Sequence, residues 1–128
     1  MTPNETQILK DAIAYLEGAS GMTDILIAPE SQDFPAQFPC VMVMTRTTPV
    51  QDGLKETLLC DLTVQLSIYA GSVYDTEDGL GVLGILDKIN ALMDAKGYRR
   101  TNNTKPYYVT AQGKWCKSAW YSKKTNSF

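Results

Sequence analysis

The chain has 128 residues, enough for one domain with little room for a second, and its 44% hydrophobic content is that of a globular protein. Three cysteines without CxxC spacing point to neither a disulfide framework nor a zinc site, and the lack of any histidine removes the commonest general base, the usual zinc ligand and every Ser-His or Cys-His nucleophile pair. The net charge of −2 hides a strong polarity: residues 1–95 hold all 14 acids against Lys10, Arg46, Lys55 and Lys88, a balance of −10, whereas residues 96–128 hold eight Lys or Arg and no acid, a balance of +8.

No run approaches the ~18 apolar residues of a membrane span, and the first residues lack the basic start and apolar stretch of a secretion signal. A soluble protein in a reducing compartment, most simply the cytoplasm, is expected. Cys40 and Cys60 fall within apolar runs and read as small buried thiols.

In chain order, Thr2-Pro3-Asn4-Glu5 reads as a capping box opening a helix, with Ile8, Leu9, Ala12, Ile13 and Leu16 as its apolar stripe and Gly18 as a left-handed cap. Ile25 to Ala28 reads as a short strand. Pro29, Pro35 and Pro39 then mark an extended connector whose Phe34 and Phe38 dock on the core. Cys40 to Thr48 reads as a strand covered on both faces at its start, because Val41 and Val43 point one way and Met42 and Met44 the other. Pro49 to Lys55 is the turn. Leu58 to Ala70 alternates apolar and polar residues with period two, which a helix cannot match, and forms a long antiparallel hairpin with the strand before it.

Asp75 or Thr76 is expected to cap a second helix running to about Ala95, with Leu83, Leu86, Ile89, Leu92 and Met93 facing the core and Gly97 closing it. A polar turn then leads to a second hairpin, Tyr107 to Gln112 and Trp115 to Tyr121, with Gly113 near its turn. The order predicts an α+β fold: a mostly antiparallel sheet of four to five strands with two helices packed on one face. A single domain over residues 1–128 is expected, with 123–128 a flexible tail.

Gly79-Leu80-Gly81-Val82-Leu83-Gly84 matches the GxGxxG dinucleotide fingerprint, but no strand runs into it, and Asp75, Glu77 and Asp78 would repel a pyrophosphate. Small residues that let a helix approach its neighbours closely are the better reading. Adjacent Glu77 and Asp78 lie about 100° apart on a helix and make no facing acid–base pair. The basic last third interleaves Tyr98, Tyr107, Tyr108, Trp115, Trp120, Tyr121 and Phe128 with its cations, one description of a single-strand nucleic-acid surface. A structural hairpin with an aromatic inner face and edge-guarding lysines explains the same residues.

The order of elements, together with Phe34-Pro35-Ala36-Gln37-Phe38-Pro39-Cys40-Val41-Met42-Val43, resembles the tail terminator proteins of tailed bacteriophages, also called tail completion or tail-to-head joining proteins. The likeness spans about residues 5–122. It includes the proline that enters an apolar strand at Pro39 to Val43, the long alternating strand, the following helix and a closing strand pair. Head–tail connector and minor tail subunits share much of this pattern.

The resemblance implies a structural virion protein without catalytic residues, cofactor or metal. Six copies form a ring at the end of the tail tube, stop tube polymerisation and join the tail to the head connector. Its partners are then other copies of itself, the tail tube protein and the connector. Genomic DNA passes the ring without specific binding, and no membrane is involved. The protein would belong to the virion neck, after assembly in the host cytoplasm. Under this resemblance three regions are expected to make assembly contacts: the hairpin tip Gln51, Asp52, Gly53, Leu54 and Lys55; the turn Tyr98, Arg99 and Arg100; and the tail from Lys123 and Lys124 onward. Each competes with the reading of an ordinary solvated loop.

Overall fold

In the computed structural model, residues 5–30, 37–49, 60–77, 80–125 and 128 are described. Helix α1 (Glu5–Glu17) buries Ile8, Ala12 and Leu16, spaced four apart as one helical face requires. It stops at a turn in which Gly18 N–H donates to the Ala14 carbonyl at 3.0 Å. The left-handed glycine lies further on, at Gly21 (φ 84°), and not at Gly18. Thr2, Pro3 and Asn4 of the expected capping box lie outside the described residues.

The strands are β1 (Leu26–Pro29), β2 (Cys40–Pro49), β3 (Cys60–Ala70), β4 (Arg99–Asn103), β5 (Tyr107–Val109) and β6 (Lys114–Thr125), and helix α2 (Val82–Ala95) joins β3 to β4. They form one six-stranded mixed sheet in the order β1-β2-β3-β6-β4, with β5 also paired to β6. The α+β class is as expected, but the sheet is larger than four to five strands. The additional strand is β4, whose Arg-Arg-Thr-Asn-Asn sequence is exposed throughout and carries no apolar alternation to betray it. The β1–β2 pair is parallel and the other pairings are antiparallel.

Register decides the two faces, since directly opposite residues in a ladder share a face. Leu66 lies opposite Val43 and Ala119, and Val64 opposite Thr45 and Tyr121. These residues share the helix-covered face, and all but half-buried Thr45 make the main core with Ile8, Leu16, Ile85, Ile89 and Met93. On the other face, Cys40, Tyr69 and Cys116 lie in one row across three strands. With Met42 they form a second small cluster, over which Leu26, Phe38 and Val109 pack. The expected double cover at the start of β2 is therefore present, and it ends by Met44, which is 42% exposed.

Helix α2 starts at Val82, later than Asp75 or Thr76, and buries Val82, Ile85, Leu86, Ile89 and Met93; Leu83, expected to face the core, is only half-buried. The helix ends as expected at Gly97 (φ 84°), where Gly97 N–H donates to Asp94 O at 2.9 Å and Tyr98 N–H to Met93 O at 3.0 Å. That pair of bonds is a Schellman closure. The second hairpin is shorter on its first side than expected. β5 stops at Val109, and Gly113 (φ 64°) donates to the Val109 carbonyl to close the turn.

Candidate assembly surfaces

Of the expected turn, Tyr98 closes helix α2, and Arg99 and Arg100 instead open the edge strand β4. Tyr98 is 3% exposed and belongs to the core, so it cannot make an outside contact. Arg99 lies opposite Ser122 and Arg100 opposite Tyr121. Successive strand residues leave the backbone on opposite faces, but at this edge both arginines reach the groove between β4 and α2. Both are exposed, and no ion pair among the described residues engages either. A register shift between Arg100 and Asn102 bulges the strand. Cations and a bulge are the usual means of keeping a free edge from recruiting a stray strand.

Behind this edge lies a buried cation. Lys117 is 6% exposed, and its ammonium donates to Asn103 Oδ1 at 2.9 Å and to the Thr104 carbonyl. Thr104 in turn accepts the Ser118 N–H on its hydroxyl at 3.0 Å. These bonds hold the β4–β5 connection against β6. Burial first, and then the Arg100 charge, move the Lys117 ammonium below the ordinary lysine range. The sequence shows Lys117 as an oddity between Trp115 and Ala119, but its partners become neighbours only through strand pairing.

The expected flexible tail is not a tail in its first half. Lys123 and Lys124 lie in β6, opposite Leu62 and Asp61. Lys123 Nζ donates to the Lys96 carbonyl at 2.9 Å and to the Phe128 main-chain oxygen at 3.0 Å, and it sits 4.5 Å from the Tyr98 ring centroid. Burial, then Lys96, lower its affinity for a proton. Phe128 is buried, with ring centroids 5.6 Å from Tyr15 and 5.4 Å from Tyr98. Lys123 is thus engaged internally, whereas Lys124 is exposed. Gln51, Asp52, Gly53, Leu54 and Lys55 lie outside the described residues.

At the opposite end of the strand order, α1 and β1 line an open groove with Glu5, Leu9, Pro29, Glu30 and Met44. Glu5 accepts a hydrogen bond from Thr47 Oγ1 at 2.6 Å, which ties α1 to β2. The sequence places these acids in the negative front of the chain. Their convergence on one groove depends on the parallel β1–β2 pair, which no local signal announces.

The glycine motif has a specific structural use. Gly81 N–H, at the start of α2, donates to Asp75 Oδ1 at 3.0 Å. A Cβ at Gly84 would collide with the Asp75 carboxylate, and one at Gly81 with the Tyr74 backbone. The small residues thus admit the 72–75 segment rather than the sheet, and the helix N-terminus already holds a carboxylate of its own chain. The N-cap residue is Gly81 and not Asp75 or Thr76; Asp75, six residues ahead, only accepts the Gly81 N–H from a neighbouring loop. Glu77 lies outside the helix, and Asp78 and Gly79 lie outside the described residues.

The aromatic residues of the basic segment do not gather into one platform. Tyr98, Tyr121 and Phe128 enter the main core, Trp115 packs against it, and Tyr107 and Tyr108 remain exposed on opposite sides of β5. All three thiols are buried and unpaired. Burial, then Cys116, pushes the Cys40 thiol up to about 11, so it stays protonated at neutral pH. Among the described residues no group of three His, Cys, Asp or Glu could hold a metal ion, and no helix is long and apolar enough to cross a membrane. No protein-family model matches the sequence, and no curated protein matches it significantly.

Proposed function

We propose that the protein is a structural subunit of the phage tail–head junction, a tail terminator that closes the end of the tail tube as a ring of about six copies. The observation that carries this reading is the placement of charge. Two acids of the front, Glu5 at the start of α1 and Glu30 just after β1, and two cations of the back, Arg99 and Arg100 on β4, lie at opposite ends of the strand order. Opposite charges on opposite edges suit heterologous, head-to-tail contacts, which form closed rings when the rotation between copies allows it. The resemblance in element order supplies the rest: the tube protein on one side of the ring, the head connector on the other, and DNA passing through without specific binding.

Electron microscopy of a lysate from the parent phage with this gene deleted tests the reading. Filled heads beside unjoined, overlong tails are expected. Filled heads with separate tails of normal length would move the protein to the connector side of the neck. Normal virions would overturn the structural role.

A further inference from the structure

The two sheet edges differ in more than sign. The β4 edge offers two exposed guanidiniums without an ion-pair partner among the described residues, backed by the buried ammonium of Lys117, and Asp94 is the carboxylate in the groove between this edge and α2. The α1–β1 edge offers the converse. Its groove carries two carboxylates, Glu5 and Glu30, above an apolar floor of Leu9, Pro29 and Met44, and among the described residues no lysine or arginine lines it. Glu5 is held in place by a threonine hydroxyl, a neutral partner that positions its charge.

An arginine is the side chain such a groove fits. Its guanidinium binds carboxylates through two parallel hydrogen bonds, while its aliphatic stem lies along apolar surface. Because the bulge and the cations guard β4 against backbone pairing, contact at this edge is made by side chains rather than by adding a strand.

We infer that Arg99 and Arg100 of one copy dock in the Glu5–Glu30 groove of the next copy, and that this contact is the repeating interface of the assembly. The inference deepens the ring reading and rests on it for the closure of the repeat. The contact itself is a property of the pure protein. Each copy presents one donor edge and one acceptor edge, so the interface is heterologous and propagates.

The experiment is a charge swap followed by sedimentation velocity, with far-UV circular dichroism to show that each variant is folded. One variant is Arg99→Glu with Arg100→Glu, and the other is Glu5→Lys with Glu30→Lys. Wild type is expected to associate as concentration rises, more weakly at high salt because exposed charges are screened. Each double variant alone is expected to lose at least about tenfold in association, since its two edges now carry the same sign. An equimolar mixture of the two is expected to recover association, since every edge again meets its opposite.

Variants that associate like wild type would overturn the interface, as would folded variants whose mixture fails to recover. Loss in the arginine variant alone would also overturn it, because the basic edge would then meet a different acidic surface. So would a wild type that remains monomeric at about 1 mM protein in about 0.01 M salt, where the Debye length is about 30 Å. The deletion lysate separates this inference from the terminator role. Overlong tails with a failed swap retire the interface alone, and a successful swap with normal virions retires the terminator role alone.

Discussion

The two faces of the sheet use the same strands for different ends. One face meets both helices and gathers side chains from every layer into a continuous core. Among the described residues the other carries the apolar row Cys40, Tyr69 and Cys116 with Met42, roofed by Leu26, Phe38 and Val109, beside the buried pair Ser67 and Ser118, and beyond that roof its residues turn polar or half-exposed. A sheet covered on one face and partly on the other needs only one continuous apolar row per strand. The second row is free to vary in polarity along its length. β3 shows this within eleven residues: its helix-side positions are buried without exception, while the opposite side passes from exposed Asp61 through half-buried Thr63 and Gln65 to buried Ser67 and Tyr69.

Substitutions can break this contrast in graded steps. Leu66→Ala, at 0% exposure in the middle of the helix-covered face, is expected to cost about 3–4 kcal/mol, because the removed atoms leave a cavity that two packed layers cannot fill. A urea titration reads this as a lower midpoint at an unchanged slope. Phe128→Ala, at the rim of the same core between Tyr15 and Tyr98, is expected to cost about 2–3 kcal/mol. No stability change in that variant would show that residue 128 adds nothing to the core. Met42→Ala on the far face is expected to cost about 2 kcal/mol, less than Leu66→Ala because its cluster is thin and its roof can settle; equal losses would erase the contrast between the faces.

The far face also carries a pH signature. The Cys40 thiol is raised from 9.0 to about 11 by burial and then by Cys116, so the folded state holds this proton more tightly than the unfolded chain does. Its contribution is fully present below pH 9 and is lost as pH climbs from about 9 to about 11. Tyr121, raised from 10.0 to about 12 by burial, adds a loss of the same sign at higher pH. Cys40→Ala should flatten the decline of the thermal midpoint between pH 9 and 10, where the thiol acts before the phenols; an unchanged slope would contradict the assignment. The smallest effect is expected at Met44→Thr, beyond the roof, which should change stability by no more than about 0.5 kcal/mol.

Sequence periodicity reached the parts of the molecule where one face is buried and the other is not. β3 is the clearest case, and the stripe of α1 and the double cover of β2 follow the same logic. It failed where structure comes from elsewhere. β4 has no buried residue, so it is a strand only because β6 is long enough to offer it a ladder. Helix α2 starts later than its sequence suggests because its N-cap is a glycine, Gly81, which carries no capping side chain, while Asp75 is turned to other use in the loop ahead of it. The basic edge was legible as charge, and Arg99 and Arg100 are indeed exposed there. Their neighbour Tyr98 reads as part of the same motif but belongs to the core, and its burial follows from the Schellman closure that turns it inward. Lys117 and its clasp on Asn103 and Thr104 required the register of three strands, which no local pattern encodes.

The position of β6 bears on how the chain becomes a protein at the ribosome. It is the last strand in sequence, yet in space it lies between β3 and β4, and its pairs with β3 join residues as far apart as Cys60 and Thr125. Until residues 114–125 have been made, β3 lacks one neighbour, while β4 and β5 have no ladder to join. The β3–β6, β4–β6 and β5–β6 pairings must therefore wait for residues 114–125. Folding dominated by such distant pairings is slow, on the order of milliseconds to seconds. A nascent chain halted before β6 would hold its apolar β2–β3 hairpin open at one edge, and that edge is the natural place for a chaperone to bind or for aggregation to begin.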